Sequence, residues 1–254
     1  MGLRPLLLTN ESDSLAPSTC WNLRDRGPEM FDLKGVAKKF INRLGYEVRK
    51  KPSNFSEKEK LIQGVMNQVA ANTPEGYEIF YQNLDLLDER FQNIINFYRQ
   101  VIEIVSAYRP KTLIDVGCGG GHFLLECSKH IACELYGLDL SPSGVAHAQK
   151  LIPAAKIEQA SIFNAHAAFP GKTFDVVCCI EVLEHLDEPG KAIVELIKLK
   201  SHSGKLVLTV PDGRKDTWEG HVNFWSEQSL AVFLRNYGKF RVRALSEALI
   251  ATEM

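Results

Sequence analysis

From residue 112 onward the chain alternates short apolar runs with amphipathic stretches, the pattern of a parallel sheet whose strands are joined by crossover helices. The apolar runs predict strands at 112–117, 134–139, 155–160, 174–181 and 204–211. Helical spacing predicts helices near 120–131, 142–151, 188–200 and 225–238, the third opened by the start signals Asp187-Glu188-Pro189. Upstream, 56–72 and 86–108 carry further helical patterns, and Arg109-Pro110 stops the second of them before the first core strand. Residues 33–51 set Val36, Phe40, Ile41 and Leu44 at helical spacing among Lys34, Lys38, Lys39, Arg43 and Arg49. Residues 1–30 show no periodicity. The resulting division is a flexible leader at 1–30, a helical extension or cap at 31–108, and an α/β domain at 109–254.

Chemistry enters where the first core strand ends. Residues 113–121 read Leu-Ile-Asp-Val-Gly-Cys-Gly-Gly-Gly, and Asp139 closes the next apolar run. Glycine lets a chain turn tightly and lets a ligand approach the backbone, since no Cβ stands in the way. An acid at the end of the following strand suits a ribose diol. The glycines at 117, 119 and 121 fit G-x-G-x-G, whereas a dinucleotide fingerprint would need its last glycine at His122. Asp115, just before the loop, would repel a pyrophosphate and favours a ligand with cationic groups.

These residues resemble the class I S-adenosylmethionine (SAM)-dependent methyltransferases over roughly residues 108–250. The resemblance implies a Rossmann-like, doubly wound, mostly parallel sheet with helices on both faces, here preceded by the N-terminal helical cap. It implies that Asp115, Gly117, Gly119 and Gly121 surround the methionine part of SAM, that Asp139 bonds both ribose hydroxyls, and that Leu140 flanks the adenine. Ser161 and Ile162 stand where the family has an acid and an apolar residue at the adenine, so Ser161 departs from the pattern; its hydroxyl or a backbone carbonyl could accept the same bond. The family closes its sheet with an antiparallel hairpin. Only Phe240 to Met254 remains for both strands, so the last is expected to be short.

A second motif, Phe174 to Leu186, brings Glu181, Glu184 and His185 to the end of a continuous apolar strand, and His221 follows the fifth strand toward the same edge. Such a strand end resembles the acceptor-lining motif of small-molecule methyltransferases. The E-x-x-E-H string with a distant histidine resembles the set in ubiquinone-pathway O-methyltransferases and small-RNA 2′-O-methyltransferases, which implies a divalent metal ion on Glu181, Glu184, His185 and His221. The same residues could instead cap the following helix or touch substrate directly. Imidazole titrates near neutral pH, so His221 or His185, beside Glu181, is the candidate catalytic group for removing a hydroxyl proton. Phe224-Trp225 could floor a pocket or anchor the core, and Tyr77, Phe80 and Tyr81 could form a lid or pack the cap.

Composition narrows the partners. The 254 residues carry 30 Lys and Arg against 31 Asp and Glu, a net charge of −1 that gives no bulk attraction to nucleic acid. The six cysteines form no C-x-x-C pair and several sit in apolar strands, which suits buried thiols in a reducing, cytoplasmic setting. No stretch approaches the roughly twenty apolar residues of a membrane span, although the basic 33–51 segment is compatible with peripheral membrane contact as well as with ordinary helix packing. The leading expectation is methyl transfer from SAM to a hydroxyl of a small-metabolite, lipid-linked or sugar-like acceptor. The alternatives are a metal-assisted RNA 2′-O-methyltransferase, which would need a basic RNA track, and a non-catalytic SAM-binding protein.

Overall fold

A computed structural model describes residues 57–246 and 248–254, so the leader and the basic 33–51 segment lie outside the described residues. Three helices come first: α1 (Glu57–Val69), α2 (Pro74–Gln82) and α3 (Leu84–Ser106). The alternation then runs β1 (Thr112–Val116), α4 (His122–His130), β2 (Glu134–Asp139), α5 (Pro142–Leu151) and β3 (Lys156–Gln159). It continues with α6 (Ala165–Ala168), β4 (Phe174–Ile180), α7 (Pro189–Leu199), β5 (Lys200–Pro211) and α8 (Glu227–Leu234). A hairpin of β6 (Phe240–Leu245) and β7 (Ala248–Glu253) ends the chain.

The seven strands lie in the order β3-β2-β1-β4-β5-β7-β6. The first five pair in parallel, while β7 runs antiparallel between β5 and β6. Strand order reverses between β1 and β4, and in such sheets the crevice at the carboxyl ends beside that reversal receives ligands. Alternate residues of β4 serve opposite layers: Val177 and Cys179 face α7 and α8, whereas Val176, Cys178 and Ile180 face α3, α4 and α5. Leu113, Leu124, Ile193 and Leu206 are all fully buried in these layers, and each such side chain contributes about 2 kcal/mol.

Two expectations need correcting. The last strand is not abbreviated: β6 and β7 pair residue for residue from Phe240 opposite Glu253 to Leu245 opposite Ala248, because Ser246, just past β6, reverses the chain with a left-handed backbone at φ 55°. The strand expected at 204–211 starts at Lys200, its early residues joining β4 through a register shift. Val101, Ile102 and Val105 of α3 are buried against the sheet.

Helix α2 separates two patterns that the sequence placed at 56–72 and 86–108. Thr73 caps it by accepting from Gly76 N at 3.1 Å, and Pro74 sits in its first turn, where a missing N–H costs nothing. Its Glu78 then ties it to the start of α5. The Glu78 carboxylate accepts from Ser141 Oγ at 2.5 Å, from Ser143 N at 3.1 Å and from Ser143 Oγ. Burial works to raise this carboxyl, but those bonds win and hold it at about 2.

Candidate active site

The crevice at the strand ends is a cavity of about 510 Å3. Gly117, Asp139, Leu140, Ser161 and Ile162 line one end, and Glu181, His185 and His221 line the other. Met66, Val69, Tyr77, Phe80 and Tyr81 of α1 and α2 cover it, so the aromatic residues before the core do sit over the cavity. Trp218 also lines it, whereas Trp225 is buried in the core and Phe224 is 51% exposed.

The glycine loop is shaped by contacts on both sides. Gly117, Gly119 and Gly121 all have positive φ, where an L side chain would be strained. A Cβ on Gly117 would run into Val182, one on Gly119 would overlap the Tyr81 hydroxyl, and one on Gly121 would press on Ala148. Thus α2 rests directly on the loop through Tyr81. Asp139 fixes the loop from below, its Oδ2 accepting from Gly119 N at 2.7 Å and its Oδ1 from Ser141 N at 2.9 Å. Each oxygen keeps a lone pair for a further donor, and the residue lines the cavity. Ser161 caps the 3-10 turn Ile162–Asn164, its Oγ accepting from Phe163 N at 3.3 Å. Leu140, at the rim, is 45% exposed and offers an apolar face.

Asp115 does not line the cavity; it lies beneath the loop, 2% exposed, with Oδ1 lacking a hydrogen-bond partner among the described residues. Burial, and then the nearby Asp139 charge, push its carboxyl up to about 8. A cationic ligand group would relieve this. Without a ligand the raised value means that stability falls as pH rises from the unfolded carboxylate range through about 8. Asp115→Asn should therefore raise the melting temperature of ligand-free protein at pH 8 while weakening its affinity for S-adenosylhomocysteine. Parallel thermal melts and calorimetric titrations check both directions.

At the other end the 3-10 turn Leu183–His185 is clamped by the loop after β5. Val222 N and Asn223 N both donate to Glu184 O, at 2.9 and 3.1 Å, and Asn223 Nδ2 donates to Leu186 O at 2.6 Å. His221 Nδ1 donates to the Asp216 carboxylate, and His185 Nδ1 donates to Gly220 O at 3.4 Å. That leaves both Nε2 atoms as lone-pair donors, 4.0 and 3.8 Å from Glu184 Oε1. Glu184 is 1% exposed, and neither carboxylate oxygen has a hydrogen-bond partner among the described residues. Burial drives its carboxyl well up, and burial with His221 alongside drives His185 down to about 4. Three groups with lone pairs thus face one another.

Ligand atoms of Glu184, His185 and His221 lie within 4.8 Å of one another, a mixed oxygen and nitrogen set that fits a divalent ion. The hydrogen bonds on the two Nδ1 atoms are the kind that fix a ligating imidazole. Glu181 stands outside this group. Its backbone is left-handed at φ 55°, its N donates to Thr209 Oγ1 at 3.1 Å, and burial raises its carboxyl. A value near 4 makes His185 a poor proton acceptor at neutral pH. Sequence reasoning missed Asp216 and Asn72, which position these histidines. Asp216 gave one local signal, lying five residues before His221. Asn72, whose Nδ2 donates to His185 O at 2.5 Å and whose Oδ1 accepts from Tyr77 at 2.7 Å, gave none.

A parallel sheet with an acid-and-glycine crevice at its reversal point defines a nucleoside-cofactor enzyme class. A family model described as a methyltransferase domain matches residues 88–244, more than half of the chain, and the chain belongs to that family. It is 29% identical over 119 residues to the mitochondrial ubiquinone biosynthesis O-methyltransferase of Schizosaccharomyces pombe, covering 45% of this chain and 43% of that protein. It is 31% identical over 104 residues to the norajmaline N-methyltransferase of Rauvolfia serpentina, covering 39% of this chain and 36% of that protein. The matches span less than half the length of these curated relatives. Among solved structures, the DhpI–SAH complex shares the fold at a TM-score of 0.58 and 16% identity, over 73% of this chain and 96% of that one.

Proposed function

We propose that this protein transfers a methyl group from SAM to a hydroxyl oxygen of a small molecule. The observation that carries this reading is one continuous cavity with Asp139 and the glycine loop at one end and His185 and His221 at the other. A nucleoside held at the first end would reach an acceptor held at the second. The O-methyltransferase name of the Schizosaccharomyces pombe relative supports the choice of oxygen.

SAM supplies an activated methyl with a neutral thioether as leaving group. The chain's own work is placement. Asp139 would hold the ribose hydroxyls, Asp115 would answer the cationic amino acid part from beneath the loop, and Leu140 and Ile162 would flank the adenine. Tyr77, Phe80 and Tyr81 exclude water from above. Alignment of this kind supplies about 7 kcal/mol or more of a transfer barrier. His221 accepts the acceptor's proton at Nε2, with Asp216 holding its ring by Nδ1.

The cluster of unpartnered lone pairs favours an alternative to that base, since a cation on His221 Nε2 would take the lone pair that accepts the proton. Glu184, His185 and His221 would hold a divalent cation, which would make a bound acceptor hydroxyl more acidic. The free cysteines suit a cytoplasmic enzyme. No helix among the described residues is long and apolar enough to cross a membrane, and the acceptor could be lipid-linked if residues 33–51 meet a membrane surface.

Transfer of labelled methyl from SAM into fractionated extract of the source cell tests the reading. Label in a small-molecule or lipid fraction is expected; label confined to RNA, or none at all, overturns it. Removing divalent ions with a chelator should cut transfer about tenfold or more if the cation is used. Unchanged transfer would remove the cation from the account.

A further inference from the structure

A second cavity, of about 520 Å3, lies on the other side of Glu181. Glu181 lines both cavities, and Asp216, which lines the second, bonds the histidine that lines the first. These two carboxylates therefore stand as the wall between the cofactor cavity and its neighbour. The remaining lining comes from α3, from the end of β5 and from the β6–β7 turn. Asn96 and Gln100 present carboxamides, Ser246 a hydroxyl and Phe97 an aromatic surface.

The chemistry of this lining is specific. Carboxamides donate to and accept from neighbouring hydroxyls, carboxylates accept from adjacent hydroxyls in pairs, and a phenyl ring covers the apolar C–H face of a ring. Lys215 is the single cationic side chain among the described lining residues, set against the two acids, so the cavity has no excess positive charge for a phosphate. Gln100 and Ser246 bond each other, with Gln100 Nε2 donating to Ser246 Oγ at 3.0 Å, yet each keeps further hydrogen-bonding capacity. Glu181 Oε1 is buried with no hydrogen-bond partner among the described residues. Among the described residues four non-glycine positions have positive φ, and one of them, Glu181, lines this cavity away from any hairpin turn.

The geometry points to a sugar site: the second cavity takes a neutral, polyhydroxylated ring that forms part of the acceptor, with Glu181 at the boundary where one of its hydroxyls would meet the cofactor cavity. Calling this ligand an acceptor rests on the methyl-transfer reading; its being a sugar rests on the cavity alone.

Saturation-transfer NMR on the full chain, with S-adenosylhomocysteine present, tests it using the methyl glycosides of glucose, galactose and mannose, with glucose 6-phosphate and catechol as rivals. At least one glycoside should receive saturation. The signal should fall about tenfold when Asn96→Leu and Gln100→Leu are combined, two lost hydrogen bonds of about 1 kcal/mol each being enough. The melting temperature and the S-adenosylhomocysteine affinity of that variant should stay those of the parent, which separates site loss from unfolding. No transfer to any glycoside, transfer unchanged in the double variant, or preference for the phosphate or for catechol would overturn the sugar site. Glycoside binding without any S-adenosylhomocysteine binding would support the site and sink the methyl-transfer reading instead.

Discussion

Asp139→Ala is expected to weaken S-adenosylhomocysteine binding about a hundredfold or more, because two hydrogen bonds from ribose hydroxyls to a carboxylate are worth about 1.5–3 kcal/mol each and 1.4 kcal/mol is tenfold. The loss has a second source in the protein itself. Gly119 N and Ser141 N would lose their acceptors, so the glycine loop and the start of α5 would no longer be held against each other. Asp139→Asn separates the two causes. The amide keeps an oxygen acceptor but no charge, and an intermediate loss of about tenfold follows. Calorimetric titration reads all three proteins. An Asp139→Ala affinity within about threefold of the parent would remove the ribose from this end of the cavity.

His221→Ala should leave that affinity nearly unchanged and lower kcat by about a hundredfold to ten-thousandfold, the usual worth of a positioned base. Histidine lines the cavity but lies at the end away from Asp139, which is why binding and turnover should part. Asp216→Asn should give a smaller loss, since the amide can still hold the ring but does not favour the same tautomer. The deficit of His221→Ala should shrink as pH rises and the acceptor ionises without help. Steady-state rates across pH with the acceptor found by labelling check this. A kcat within about threefold of the parent would leave His221 as a structural residue.

Much of this fold was legible because its signals are local. The strand ending at Asp115 and the glycines after it announce a tight turn whatever surrounds them, and Asp139 closes its own apolar run. The order of strands and helices followed from periodicity, and the start of α7 from Asp187-Glu188-Pro189. Helix α2 was missed although Thr73-Pro74 is a start signal, since Asn83 joins it to α3 with no loop between them. Its importance is also nonlocal: Glu78 reaches Ser141 and Ser143, and Tyr81 reaches Gly119, across long stretches of chain.

The site was legible by residue type but not by partnership. Glu184, His185 and His221 come together as the E-x-x-E-H string suggested, whereas Glu181 lies outside their group and lines two cavities instead. The lowering of His185 arises first from burial, which no spacing rule reports. Trp218, not the Phe224-Trp225 pair, reaches the cavity, because Trp225 turns into the core ahead of α8.

The central claim is that the Asp139 end of the cavity holds the nucleoside of SAM. The most direct measurement is calorimetric titration of the full chain with S-adenosylhomocysteine and, separately, with NAD. The account predicts one-to-one binding of S-adenosylhomocysteine that weakens about a hundredfold or more in Asp139→Ala, and no binding of NAD. Tight NAD binding with no response to S-adenosylhomocysteine would contradict it.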